Sequence, residues 1–299
     1  MSDIQLYSIQ NGVHELPSTS VALEKELQTV IEQNMFTFFG ITFLKSEYAI
    51  TNGRIDSLGL DENFCPVIFE YKRSTNENVI NQGLFYLDWL MDHKADFKLF
   101  VIEALGMESA DKVDWSMPQV ICIANDFTKF DEHAVNQMQR NIKLVRYRKF
   151  GKELILFEHL NAPNARPVVE STASLPIPEH TYSQKTFIHQ YDNAPTKLQS
   201  TYQTIKDYML SLGDDITENQ LKLYVAFRKV RNIATVEIYQ SKIILHLSLD
   251  PQTVTFEKGF SRDMRSIGHY GTGDVQITIN SMDDFEKAKP LIDRAYHEG

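Results

Sequence analysis

Apolar positions along the first third of the chain follow two different spacings. Over residues 20–36 they recur every three or four residues, which places them on one face of a helix. Residues 38–50, 54–59 and 66–72 instead carry runs of β-branched and aromatic residues, which are typical of strands. A turn-rich stretch at 59–63 separates the last two runs and predicts a hairpin between them.

Helices and strands continue to alternate up to about residue 160. Alternation of this kind predicts an α/β fold, in which a mixed sheet is flanked by helices. The further elements predicted are helices at 74–93 and 129–140 and strands at 98–102, 118–124, 142–147 and 153–157.

Residues 161–196 break this pattern, because five prolines punctuate a polar stretch with no clear period. Such a stretch predicts a linker between a domain at 1–160 and a second domain at 197–299. In the second domain, helical segments at 198–212 and 282–297 enclose four apolar runs, which predict a small α+β domain with a four-stranded meander. The four runs are residues 221–229, 234–240, 242–249 and 274–279.

Charged residues lie in both strands of the predicted hairpin. Glu70 and Lys72 are one strand period apart, so they share a face, and the hairpin brings Asp56 beside them. Two carboxylates and one ammonium are what a hard divalent cation and an attacking water need. The simpler interpretation is a solvated face of alternating charges. Against it, residues 66–69 are apolar, and charges at the end of a buried strand need partners or a metal.

These residues, in this order, resemble the PD-(D/E)XK nuclease superfamily, and within it the NucS-like (DUF91-type) endonuclease domains. The resemblance covers roughly residues 20–160, although Ile55 stands where the superfamily's name has proline. An acidic helix upstream, matched here by residues 23–28, is usual in these proteins. The motifs that carry the resemblance are Gly53-Arg54-Ile55-Asp56-Ser57-Leu58, then Phe69-Glu70-Tyr71-Lys72-Arg73, then Gln82 and Tyr86 as a Gln-x-x-x-Tyr pair.

The resemblance implies a restriction-endonuclease-like domain that hydrolyses phosphodiester bonds in DNA, or in RNA, with Mg²⁺ or Mn²⁺. Asp56, Glu70 and the backbone carbonyl of Tyr71 would bind the metal, and Lys72 would orient or help to deprotonate the water. The C-terminal layout resembles a small domain of unknown function that often follows such nucleases. The other site residues implied are Glu24, with Glu26 as its rival, for the metal's outer water shell, Gln82 for positioning Lys72 or a phosphate, and Tyr86 for packing beside Gln82.

Other charged residues leave alternatives open. The basic residues of 143–149 would contact phosphates beside the site, or would protect an edge strand from aggregation. Glu47 is a further acidic group of the site or a surface residue, and the surface interpretation is slightly favoured. A second basic set forms a nucleic-acid dock if its members share one face, and is otherwise a solvated surface: Arg228, Lys229, Arg231, Lys258, Arg262 and Arg265.

Composition bounds the function further. With 299 residues and 42% hydrophobic residues the chain can bury two cores, and no apolar run approaches the length of a membrane span. The net charge of −10 argues against a protein that coats nucleic acid non-specifically. The first residues lack the pattern of a signal peptide, and Cys65 and Cys122 are expected to be buried free thiols in a reducing, cytoplasmic compartment.

Two other functional classes compete with the nuclease hypothesis. The chain would be a non-catalytic nucleic-acid-binding or regulatory protein on a decayed nuclease scaffold, but the intact Asp56, Glu70 and Lys72 count against decay. It would alternatively be a nucleotide hydrolase, for which no phosphate-cradling glycine-rich loop is found. If the chain cuts both strands of a duplex with one site per chain, a homodimer is favoured.

Overall fold

The computed structural model describes residues 4–10, 12–20, 24–72, 79–161 and 186–298. Their contacts divide the chain into two compact units, each with its own sheet. The first unit consists of Met1–Asp61, Pro66–Val113 and Pro118–Ala165, and the second of Glu62–Cys65, Asp114–Met117 and Arg166–Gly299.

The first unit contains five helices and nine strands among its described residues. In chain order they are β1 (Leu6–Ser8), β2 (His14–Leu16), β3 (Ser18–Thr19), α1 (Glu24–Phe39), β4 (Ile41–Ile50), β5 (Gly53–Asp61), β6 (Pro66–Lys72), α2 (Val79–Asp92), α3 (Lys94–Leu105), α4 (Met107–Asp111), β7 (Gln119–Ala124), α5 (Lys129–Gln137), β8 (Asn141–Phe150) and β9 (Leu154–His159).

The main sheet of this unit is mixed, as the α/β pattern predicts. Its order is β3-β8-β7-β6-β5-β4, with β9 also paired to β8. Strands β6, β7 and β8 are parallel, whereas β4, β5 and β6 form an antiparallel meander. Val67, Phe69 and Tyr71 of β6 pack against the apolar stripe of α1. On α2, a Cβ added at Gly83 would lie 2.5 Å from Val120, so glycine there allows the helix to approach the sheet closely.

One predicted strand of this unit is wrong. Residues 98–102 form part of helix α3, in which the side chains of Phe97 and Val101 are buried while that of Leu99 is 61% exposed. Burial four residues apart is a helical pattern. The run of five apolar residues suits a strand and a helix equally well, so its composition could not distinguish them.

The second unit is a six-stranded antiparallel sheet covered by helices on one face, with strand order β10-β11-β12-β13-β15-β14. The predicted α+β class is confirmed, but the sheet has two strands more than the predicted meander. Its elements are α6 (Phe187–Asn193), α7 (Thr196–Ser211), β10 (Thr217–Gln220), β11 (Val225–Arg228), β12 (Asn232–Ile238), β13 (Ile243–Leu247), a 3₁₀ turn (Pro251–Thr253), β14 (Ser261–Asp263), β15 (Val275–Ile279) and α8 (Met282–Glu298).

The predicted linker lies mostly outside the described residues, which resume at residue 186. Phe187, at the start of α6, is buried in the core of the second unit. The domain limits at 160 and 197 stay a prediction. Within the described part of the chain, no helix combines the length and the apolarity needed to cross a bilayer.

Candidate active site

A pocket of about 360 Å³ lies in the first unit where β5, β6 and α2 meet. Five of the six side chains that the sequence suggested for catalysis line it, namely Asp56, Glu70, Lys72, Gln82 and Tyr86, together with Gly53 and Arg54. The folded chain therefore brings together residues that are up to 33 positions apart in sequence, from Gly53 to Tyr86.

Asp56 and Glu70 are neighbours across the β5–β6 pair. Because Ser57 pairs with Phe69, the register sets Asp56 opposite Glu70. The backbone N–H of Asp56 donates to Glu70 Oε1 at 3.3 Å, and the N–H of Tyr71 donates to Asp56 Oδ2 at 3.0 Å. Main-chain donors thus hold both carboxylates at the pocket.

Burial makes it costly for these two carboxylates to be charged together. The Glu70 side chain is 1% exposed, and its burial, reinforced by the charge of Asp56, raises the pKa of Glu70 to about 9. Burial also raises the pKa of Asp56, while the Tyr71 N–H and the Lys72 ammonium oppose that shift. A cation between the two oxygens would remove this repulsion.

The donor set fits a hard divalent cation such as Mg²⁺ or Mn²⁺. Such ions prefer oxygen ligands, and Mg²⁺ commonly uses one or two carboxylates and keeps several waters. Among the described residues, no group of three or more His, Cys, Asp and Glu side chains is placed to hold a metal. The ligand set that the sequence suggests, namely Asp56, Glu70 and the main-chain oxygen of Tyr71, therefore stays a prediction.

Of the two acidic residues proposed on α1, Glu24 is the one near the site. Glu24 is close enough for its charge to raise the pKa of Asp56. Glu26 instead accepts a hydrogen bond from Lys149 Nζ at 2.6 Å. The two are two positions apart in sequence, so they point to different sides of the helix.

The glycine and the tyrosine of the two motifs are coupled by packing. A Cβ at Gly53 would lie 2.6 Å from Tyr86 Cε1, closer than real Cβ contacts come. The Tyr86 hydroxyl accepts a long hydrogen bond, 3.4 Å, from the backbone N–H of Arg54. Tyr86 is buried and therefore positions the start of β5, whereas Gln82, one turn earlier on α2, is exposed at the pocket.

Sequence reasoning missed Gln28 and Glu32, which tie α1 to the site strand. Gln28 Nε2 donates to the Asp56 carbonyl at 2.9 Å and to Glu32 Oε1 at 2.9 Å. Glu32 also accepts from the Ser57 hydroxyl at 2.6 Å. The available signal was the spacing, since Glu24, Gln28 and Glu32 recur every four residues on one helix face.

The basic strand interpretation needs correction. Strand β8 is paired on both sides, by β7 and by β9, so it is not an edge strand. Arg146 is 4% exposed and pairs with Asp126 at 2.6 Å and with Glu158 at 2.9 Å, so it stabilises the interior of this unit. Its burial also removes it from any phosphate-binding surface.

The basic set of the second unit does not form one exposed strip. Arg228 is 1% exposed and donates to the carbonyl of Val230. Arg265 is exposed but pairs with Asp263 at 2.6 Å. Both cysteines are buried free thiols, as the sequence predicts.

Comparison with known proteins places the whole chain in a family. It is 31% identical over 299 residues to an uncharacterized protein of Haemophilus influenzae, an alignment that covers 98% of this chain and 99% of the relative. The chain belongs to the family of that Haemophilus protein. Residues 189–298 also match a domain of unknown function, DUF5655, and these residues contain nearly all of the second unit's sheet and helices.

Two solved structures are similar over part of the chain. One is a repair endonuclease from Pyrococcus abyssi, at a TM-score of 0.29 and 15% identity, covering 48% of this chain and 61% of that one. The other is EndoMS in a complex with double-stranded DNA, at a TM-score of 0.26 and 22% identity, covering 43% of this chain and 47% of that one. TM-scores this low establish no shared fold, so the site itself has to support any assignment of function.

Proposed function

We propose that this protein is a nuclease that uses Mg²⁺ or Mn²⁺ to hydrolyse phosphodiester bonds in DNA. The observation that carries the proposal is the convergence of Asp56, Glu70 and Lys72 in one pocket. It is costly to ionise the two buried carboxylates together, so a bound cation would stabilise the charged pair. The ammonium of Lys72 lies beside them.

The metal would be held by Asp56, Glu70 and the Tyr71 carbonyl oxygen. When bound, a divalent cation there neutralises phosphate charge and lowers the pKa of a coordinated water. Asp56 and Glu70 are held in place by the main-chain N–H groups of Tyr71 and Asp56, so little rearrangement is required of these side chains.

Lys72 supplies the positive charge that neither carboxylate can. Its ammonium orients the attacking water and stabilises the negative charge that develops on the oxygens of the reacting phosphate. Gln82, at the exposed side of the pocket, positions a phosphate or Lys72, and Glu24 receives hydrogen bonds from water at the acidic side. Tyr86 acts indirectly, by fixing β5 through its contact with Gly53.

The proposal is tested by incubating the full chain with fluorescent linear and supercoiled DNA in Mg²⁺, in Mn²⁺ and in EDTA. Cleavage should require the metal. Lys72→Ala should lose cleavage while it retains Mn²⁺ binding and folding. Lys98→Ala, which removes an exposed lysine paired with Asp111, is the matched control and should cut like the wild type.

Cleavage that persists in EDTA, or that survives Lys72→Ala, would contradict the mechanism. A protein that binds DNA and Mn²⁺ but never cuts would instead be the non-catalytic binding protein of the alternative hypothesis. The same assay with single-stranded RNA decides between the two kinds of nucleic acid.

A further inference from the structure

Two exposed cations share one carboxylate, and one of them, Arg54, lines the pocket. Lys25 Nζ lies 3.1 Å from Glu47 Oε1, and Arg54 Nε lies 2.8 Å from Glu47 Oε2. The side chains of Lys25 and Arg54 are 59% and 62% exposed, whereas that of Glu47 is 30% exposed. The carboxylate therefore forms the inner side of the group and the cations form its outer side.

Glu47 occupies an unusual position for a surface residue. Ser46 pairs with Ser57 and Tyr48 with Ile55, so Glu47 lies directly across the strands from Asp56. Its φ is +53°, in the left-handed region that a non-glycine residue adopts only at a cost. Like charges opposite each other in a sheet repel, so a carboxylate here is stable because Lys25 and Arg54 compensate it.

Arg54 also reaches the pocket. It lines the cavity with Asp56, Glu70 and Lys72, and its charge acts to lower the pKa of Glu70. Among the described residues, Glu47 is its one ion-pair partner, through Nε. The guanidinium has five N–H donors, so this contact leaves the outer nitrogens able to receive a further anion.

The charges of this group do not cancel. One carboxylate between two cations leaves one positive charge beside a pocket whose other charged groups are Asp56, Glu70 and Lys72. Burial opposes ionisation of Glu47, but hydrogen bonds from Lys25 and Gln28 and the charge of Arg54 outweigh it and lower the pKa of Glu47. Glu47 therefore stays ionised at neutral pH and holds both cations.

We propose that Arg54 and Lys25 form a phosphate clamp, positioned by Glu47, that binds the substrate backbone next to the phosphate undergoing hydrolysis. The clamp rests on the proposed nuclease function and identifies its substrate contact. Arginine suits the role because its planar fork binds phosphate through two hydrogen bonds. Phosphate contacts fix register without reading sequence, so the clamp serves every sequence alike. Glu47 is a positioning residue, since it acts through Arg54.

Glu47→Gln separates a clamp from a merely basic surface. The variant removes a negative charge from a surface that meets a polyanion. If the cations acted only by bulk electrostatics, DNA binding would tighten. If Glu47 positions Arg54, kcat/KM falls and binding weakens in spite of the more favourable net charge.

The experiment measures the affinity of the full chain for a labelled duplex over a series of salt concentrations, with Ca²⁺ replacing Mg²⁺. Arg54→Ala should reduce the slope of log K against log salt by about 0.9, the value of one lost phosphate contact. Arg54→Lys should keep the slope but fail to restore kcat/KM in Mg²⁺. The controls are Arg140→Ala and Asp88→Asn, which break an exposed ion pair of the same unit.

Two failures are distinguishable. If the wild type does not cleave in any metal, the nuclease function is overturned, and the salt slopes still test the clamp as a DNA contact. If the wild type cleaves, but Arg54→Ala has the control slope and Glu47→Gln binds more tightly, the nuclease stands and the clamp is overturned.

Discussion

Each of the two units buries a carboxylate on a face of its sheet, but the two carboxylates have different surroundings. Glu70 lies beside a second carboxylate, Asp56, in an open pocket. In the second unit, Glu237 on β12 is 5% exposed, accepts a hydrogen bond from the Tyr239 hydroxyl at 2.6 Å and lies 3.6 Å from His246 Nδ1. A buried acid alone therefore does not identify a site.

The surroundings of Glu70 and Glu237 differ in how they deal with the cost of a buried negative charge. Burial raises the pKa of Glu237 and lowers the pKa of His246 to about 4, so His246 is neutral at neutral pH and Glu237 is held by its hydrogen bond from Tyr239. The ring of His269 lies 4.3 Å from that of His246 and adds no anion. In the first unit, Asp56 and Lys72 face the same pocket as Glu70. A cation bound there would neutralise the negative charge of the two carboxylates.

The largest expected effect follows from this contrast. Glu70→Gln removes a metal ligand and should reduce cleavage by at least about a hundredfold, whereas Glu237→Gln should leave kcat/KM within about twofold of the wild type. Steady-state cleavage assays of the two variants, with melting temperatures as a check on folding, test this. A large loss in Glu237→Gln at an unchanged melting temperature would mean that the second cluster takes part in the chemistry.

Metal binding should depend on pH in a defined direction. With the pKa of Glu70 at about 9, the metal-free pocket holds a proton at neutral pH that a cation must displace. Mn²⁺ affinity should therefore rise with pH, by up to about tenfold per unit below pH 9. Calorimetric titrations in buffers of different ionisation enthalpy should detect the released proton. Asp56→Asn should bind Mn²⁺ much more weakly, and a pH-independent affinity of the wild type would contradict the assignment.

The two clusters should also shift stability with pH in opposite directions. Glu70 has a raised pKa, so the stability it contributes to the metal-free protein is present below its unfolded pKa and is lost as pH rises toward 9. His246 has a depressed pKa, so it disfavours the folded state as pH falls from about 6.5 toward 4.

Urea unfolding of the metal-free chain from pH 4 to pH 9 measures both effects. Glu70→Gln should flatten the alkaline side of the profile, and His246→Asn should flatten the acidic side, whatever each does to absolute stability. If either substitution changes the opposite side instead, the ionisation states assigned to the two clusters are wrong.

The local patterns in the sequence were sufficient for the site hairpin. The apolar run at 66–69 and a turn-rich stretch before it identify β6, and Glu70 and Lys72 follow on one face. The six-stranded sheet was harder to predict, because β14 has three residues and β10 reads Thr-Glu-Asn-Gln, and neither carries a period.

The sequence alone could not predict contacts that depend on the register of strand pairing. Glu47 lies opposite Asp56 because the β4–β5 pairing shifts between Phe43 and Lys45, and no residue pattern indicates that irregularity. Gln28 could be placed on the face of Glu24, but its bond to the Asp56 carbonyl depends on how α1 packs against β5. The resemblance therefore suggested the residues in the pocket. The structure adds neighbouring residues, such as Gln28 and Glu47, that contact the strands carrying them.

The smallest expected effect concerns the basic residues of the second unit. Arg265 donates to Asp263 through Nε and Nη2, and Arg262 donates to the Gln276 side chain. An arginine already paired with a neighbouring carboxylate adds little net charge for DNA, so Arg265→Ala should change the salt slope of binding by much less than the 0.9 or so expected at Arg54. Titrations of both variants against the same duplex make the comparison direct. If Arg265→Ala lowers the slope as much as Arg54→Ala, the second unit binds the backbone as closely as the pocket does, and the contrast between the two units would then lie in catalysis alone.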